Sequence, residues 1–132
     1  MKSVPWLVAG AAVLATVIVL ALGRRGPGAV HPDPRPDITA ERVLPPALLP
    51  DGPGVIEAYA AARNAPQLLD GVFCHCHCAR TFGHRSLLTC FESDHGARCD
   101  ICMGEARLAT TLAARGRSLD EIRRAIDERF GS

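Results

Sequence analysis

Six cysteines lie between Cys74 and Cys102, a window of 29 residues, and the other 103 residues contain none. They fall as a Cys-x-Cys-x-Cys run (Cys74, Cys76, Cys78), a single Cys90 and a Cys-x-x-Cys pair (Cys99, Cys102). Four of the five histidines, His75, His77, His84 and His95, share the window. Thiolate and imidazole bind soft and borderline metals, and thiols also form disulfides, so either chemistry can cross-link whatever fold surrounds them. The segment that folds around the window is short, so such a cross-link is expected on size grounds alone.

The length of 132 residues overstates the globular part. Val4 to Gly23 is uncharged and nearly all apolar, long enough at 1.5 Å per residue to cross a ~30 Å hydrocarbon core as one helix. Residues 1–25 are therefore read as a signal anchor that contacts the lipid bilayer through residues 4–23. The competing reading is a signal peptide cleaved near Ala21-Leu22-Gly23. Basic residues flank both sides, Lys2 before and Arg24 and Arg25 after, so the positive-inside bias is nearly balanced. A short N-terminal tail ahead of an apolar run favours a single-pass protein with its domain outside the cytoplasm.

From Gly26 to Pro53 the chain carries eight of its ten prolines. Proline removes backbone donors and biases its predecessor to extended backbone, so residues 26–52 are expected to form a semi-rigid, largely solvated linker. His31 within it is expected to be solvated, and the apolar patch from Val43 to Leu49 to be exposed linker, with docking onto the domain as the other reading. The remaining domain, residues 53–132, is small enough that an apolar core alone is marginal. A net charge of +1, with no basic stripe interleaved with aromatics, gives no electrostatic argument for nucleic acid, and no nucleic-acid partner is expected.

The domain is expected to be all-α, since no segment alternates cleanly enough for a strand. Residues 53–64 place Val55, Ile56, Tyr59, Ala60 and Arg63 at helical spacing behind a first-turn proline. A short helix is expected from Pro66, capped by Asn64, to the Asp70-Gly71 stop. One or two turns are expected over 86–91, and a longer helix over 100–115 ended by Gly116. Ser118 and Glu121 have capping-box spacing ahead of Leu119, Ile122, Ile126 and Phe130.

In an extended run, Cys74, Cys76 and Cys78 point to one side and His75 and His77 to the other. Cys99 and Cys102, three apart at a helix N-terminus, share a face where the helix dipole favours thiolate. Met103 is offset around the helix and is read as packing. Six thiolates exceed the four ligands of a structural zinc ion, so the pattern suits either a polynuclear Cu(I) cluster or a zinc ion held by four of the six with His84 or His95 replacing a thiol. The spacings do not match ferredoxin iron–sulfur patterns, and Met103 stands where c-type haem attachment needs histidine. The competing readings are three disulfides, joining the triple run to Cys90, Cys99 and Cys102, or a redox dithiol at Cys99 and Cys102. His75 and His77 are either ligands or a solvated face, His84 and His95 either ligands or helix caps. Asp70 and Glu105 are either supports for histidine ligands or surface and helix-end groups. No nucleophile–base pair or carboxylate pair points to an enzyme.

The order Tyr59, Pro66-x-x-Leu69-Asp70, Cys-x-Cys-x-Cys, Leu87-Leu88-x-Cys90-Phe91, His95-Gly96-Ala97-x-Cys99-x-x-Cys102-x-x-Glu105-Ala106 and Gly116-x-Ser118-x-x-Glu121-Ile122-Arg123 resembles the PCYCGC-motif proteins. The resemblance spans about Tyr59 to Phe130 and implies a small bacterial protein, membrane-tethered or secreted, with no mechanism attached. Phe73-Cys74-His75-Cys76-His77-Cys78 departs from the motif, with histidines at intervening positions. The sequence thus gives a membrane-anchored, all-α metal-binding protein for Cu(I) or zinc storage, delivery or sensing. Its expected ligands are Cys74, Cys76, Cys78, Cys90, Cys99 and Cys102, with His75, His77, His84 and His95 as further candidates. Metal ions, and a protein that donates or accepts them, are its expected partners.

Overall fold

A computed structural model describes residues 29–131. Among them there are five α-helices and no strand: α1 Val55–Asn64, α2 Pro66–Asp70, α3 Cys78–Phe82, α4 Asp100–Ala114 and α5 Leu119–Phe130. Short 3-10 turns at Ala40–Arg42, Pro46–Leu48, Leu88–Phe91 and Gly96–Arg98 join them. No helix among the described residues is long and apolar enough to cross a membrane. The apolar run expected to do so, residues 4–23, lies outside them.

α4 is the central element, with α1 and α5 packed on it. α1 buries Val55, Ala58, Tyr59 and Ala62, spaced i, i+3, i+4, i+7 along one stripe. This shifts the expected face, because Ile56 is 58 % exposed and Ala60 also faces solvent. α2 begins at Pro66 as expected but is capped by Ala65, and Asn64 is the last residue of α1. α4 turns Cys102, Met103, Glu105, Ala106 and Ala109 inward, so Met103 does pack in the core. The ring of Tyr59 meets Phe91 edge-on at 4.9 Å. Its hydroxyl donates to the Ser93 carbonyl at 2.6 Å and accepts from the Ala97 amide at 3.1 Å. Burial, against the hydrogen bond accepted from the Ala97 amide, pushes the Tyr59 pKa up to about 12.

The α4–α5 corner follows from local rules. Gly116 takes φ +75°, where a side chain would be strained. Its amide bonds to the Ala113 carbonyl at 2.9 Å, and the Arg117 amide to Leu112 at 3.1 Å, the paired bonds of a Schellman stop. Ser118 then opens α5 with both halves of the capping box formed. Ile122 and Ile126 of α5 are buried, with Leu119 and Phe130 partly so.

The described part of the proline-rich stretch differs from the solvated linker expected of it. Residues 29–49 form a strap laid over the helices, with Ile38 and Val43 in the core. Prolines leave a chain with carbonyls and few amide donors, and here side chains from the rest of the domain supply the donors. Arg123 donates to the Pro32 carbonyl, Gln67 to Pro36, Arg63 to Val43 and Arg85 to Asp33. The Leu44 amide donates to Phe91 at 2.9 Å. Arg35 clamps the fully buried Asp70 through its backbone amide at 2.8 Å, Nε at 3.0 Å and Nη2 at 2.8 Å.

Candidate metal centre

The cysteine run does not lie as an extended strip. After Cys74 the chain turns at His75 and Cys76, His77 takes φ +63°, and Cys78 begins α3. This tight path still delivers all three thiols to one place. The sulfurs of Cys74, Cys76, Cys78 and Cys90 lie within 4.8 Å of one another. Cys90 arrives on the 3-10 turn Leu88–Phe91, and Cys102 from the first turn of α4.

Three sulfurs form a near-equilateral triangle: Cys74–Cys76 at 3.4 Å, Cys76–Cys102 at 3.4 Å and Cys74–Cys102 at 3.6 Å. On the other side Cys78 and Cys90 stand 3.3 Å apart, and His84 Nδ1 is 3.3 Å from the Cys90 sulfur. His95 Nε2 is 3.9 Å from Cys76. The donor groups that fit one ion include Cys76, Cys90, His95 and Cys102, and Cys78, His84, Cys90 and His95. All six cysteines are free thiols. Cys74, Cys78, Cys90 and Cys102 are buried, while Cys76, His84 and His95 are partly open. Exposed Phe82 packs its ring against His95 at 5.0 Å and His84 at 5.8 Å on that open side.

Gly96 holds this region close. A β-carbon there would stand 3.0 Å from the Cys90 carbonyl oxygen and 3.1 Å from the Phe91 ring, so any larger residue in the turn before α4 would push Cys90 or Phe91 back by a few tenths of an ångström.

The thiols differ in their readiness to ionise. Hydrogen bonding to Cys102, followed by burial and the nearby Glu105 charge, pushes Cys74 up. Cys90 and Cys102 also rise: each is held down by one thiol neighbour, but the opposing thiol and burial outweigh it. Burial raises Cys78 to about 11. Burial pushes Cys76 up as well, but hydrogen bonds from His95 and the surrounding thiols overcome it and bring Cys76 down to about 6. Cys76 is thus the first thiolate of the cluster. Burial, then the neighbouring His95, lowers the His84 pKa, a shift toward the neutral ring that a metal ligand requires.

Other candidates stand apart. Cys99 is the N-cap of α4 with extended dihedrals, φ −136° and ψ 108°, so it leaves the helical face it was expected to share with Cys102, and it enters none of the donor groups. His77 points to solvent. His75 Nε2 turns to Asp127 Oδ1 at 2.9 Å. His31, expected to be solvated, is half-buried with its side chain only 8 % exposed, and it donates from Nε2 to the same oxygen at 3.0 Å, because its Nδ1 accepts the Phe73 amide at 2.9 Å. Asp127 was not singled out by the sequence, since 52 and 96 residues separate it from its two partners. Asp70 faces Arg35, Arg85 and Ser86 and bonds no histidine ring. Glu105 Oε1 accepts the His75 amide at 2.9 Å, and its buried Oε2 has no partner. Burial, against hydrogen bonds from Cys74 and His75, brings Glu105 up to about 7.

Against known families, residues 29–132 match the profile described as a protein of unknown function with PCYCGC motif. No curated protein and no solved structure matches the chain. The matched region begins inside the proline-rich stretch, at the strap that the helices bind.

Proposed function

We infer a metal-binding function for this chain, which belongs to the PCYCGC-motif family. Its buried thiol–imidazole cluster takes up a soft or borderline ion, Cu(I) or Zn(II), for storage, delivery or sensing. The observation that carries this is the convergence of five free thiols and two imidazoles with sulfur separations of 3.3–3.6 Å. Four ligands at 2.3 Å around a tetrahedral ion stand about 3.8 Å apart, whereas bonded sulfurs stand about 2.05 Å apart. The cluster is spaced for an ion between the sulfurs. Three disulfides would also have to use Cys99, which makes no sulfur contact among the described residues. A Cys99–Cys102 redox pair has no support here either, because the Cys102 sulfur faces Cys74 and Cys76.

In this reading the apolar run at residues 4–23 anchors the protein in a bilayer, with the metal centre outside the cytoplasm and a second protein giving or taking the ion. The partly open Cys76, His84 and His95 are the ligands such a partner reaches first.

The test is to purify the full chain without oxygen, count free thiols and measure bound metal by mass spectrometry. One or more equivalents of copper or zinc with free thiols in the apoprotein is the expected result. Less than one equivalent of any metal together with three disulfides overturns it. Labelling of thiols from outside intact cells tests the side of the membrane.

A further inference from the structure

The cluster holds more donors than one ion uses, and two four-donor sets that share a single sulfur take up all seven. Cys74, Cys76, Cys90 and Cys102 are mutually close: the triangle of three is given by their contacts, and Cys90 lies within 4.8 Å of each. Cys78, His84, Cys90 and His95 are likewise all within 4.8 Å of one another. Each set has the four donors of a closed tetrahedral site. The only atom common to both is the Cys90 sulfur, which is completely buried at the junction.

We propose that the centre holds two divalent ions at once, one in a four-sulfur site and one in a two-sulfur, two-nitrogen site, joined by the bridging thiolate of Cys90. This deepens the metal-binding reading above and rests on it.

Charge argues for two ions over one. Five thiolates carry −5, and two divalent ions bring the buried centre to −1. One divalent ion in the four-sulfur site leaves −2 there, with Cys78, His84 and His95 left as an unused half-site beside it. Buried charge without compensation is costly, so the second ion reduces what the first leaves behind. Cys90 is suited to the bridge. A thiolate has lone pairs for two metals, and inside the core those pairs have no water to turn to. Its position on the 3-10 turn, with Gly96 allowing the α4 entry loop against the Cys90 backbone, puts it between the arms. The two sites also differ in access. The sulfur site is lined mainly by buried thiols, and the mixed site by two partly open imidazoles. The second ion is therefore the exchangeable one.

The experiment uses the full chain, anaerobic and metal-free, titrated with Zn(II) and followed by native mass spectrometry, and in parallel with Co(II). Two equivalents of zinc are expected. High-spin Co(II) should give a paramagnetic resonance signal that grows to one equivalent and falls toward the second, as two ions couple through the shared sulfur. Because Cys90→Ser sits in the core and can disturb folding, the variant of choice is His84→Ala, at a partly open position. It should keep the helical circular dichroism and drop from two equivalents to one. A native chain that stops at one equivalent, two Co(II) ions whose signals simply add, or a His84→Ala protein that still takes two would each overturn the bridged pair and leave metal binding standing. No uptake of either ion would overturn both.

Discussion

Asp70 is a charge held where water does not reach. Its desolvation alone would raise the carboxyl, but Arg35 donates three hydrogen bonds and Ser86 a fourth, with the Arg85 guanidinium at 2.9 Å, and the group falls to about 2 from 3.8. A pKa depressed by folding gives stability that is fully present above the unfolded value and is lost as pH falls through the folded one. The shift is worth about 2 kcal/mol, all of it gone below pH 2. Asp70→Asn should cost roughly 3 kcal/mol at pH 7 and should flatten the loss between pH 5 and pH 2; urea unfolding of both proteins at those pH values checks it. A variant whose acid profile matches the native one would show that Asp70 is not the group responsible. The sequence could place Asp70 at a helix end, but it could not show that an arginine 35 residues earlier would fold back onto it.

At the scale of elements, what local chemistry dictates was legible and what depends on crossing chains was not. The Gly116 stop, the Ser118–Glu121 box and the Pro66 start all follow from side chains acting on the backbone within a few residues, and all three form. The cysteine run depends on more distant partners. Alternation in an extended strip predicts the convergence of Cys74, Cys76 and Cys78, and they do converge, but by a turn with His77 in left-handed backbone. That turn frees His75 for Asp127 and leaves His77 in solvent. Cys99 fails for a related reason: i, i+3 spacing puts two residues on one face only if both are inside the helix, and Cys99 is the cap. Two substitutions separate these scales. Ser118→Ala should lower stability by about 1 kcal/mol with metal content unchanged, because its bonds are local. Gly96→Ala should cost roughly 1–3 kcal/mol and also weaken metal binding, because the added carbon meets the Cys90 carbonyl. Chemical denaturation and metal competition with a chelator distinguish the two; a Gly96→Ala protein that binds metal like the native one would break the link between that turn and the centre.

For the whole molecule, the strap decides where the folding unit begins. Composition alone reads eight prolines as a spacer, because it counts the donors that proline removes and cannot see the arginines that return them. Residues 29–49 contribute Ile38 and Val43 to the core and cover Asp70, and His31 joins them to α5 through Asp127. A fragment starting at residue 53 would leave Asp70 without Arg35 and strip the apolar cover from α1 and the Phe91 turn. Ile38 and Val43 alone account for about 3–6 kcal/mol of burial, of the order of a small domain's entire stability. The fragment from residue 53 should therefore be largely unfolded without metal, while one from residue 29 should unfold cooperatively. Since ligands that bind only the folded state stabilise it by mass action, zinc should restore structure to the shorter fragment at the cost of apparent affinity. Circular dichroism melts of both fragments, with and without zinc, measure this. Equal melting temperatures without metal would mean that the strap rests on the domain without holding it together.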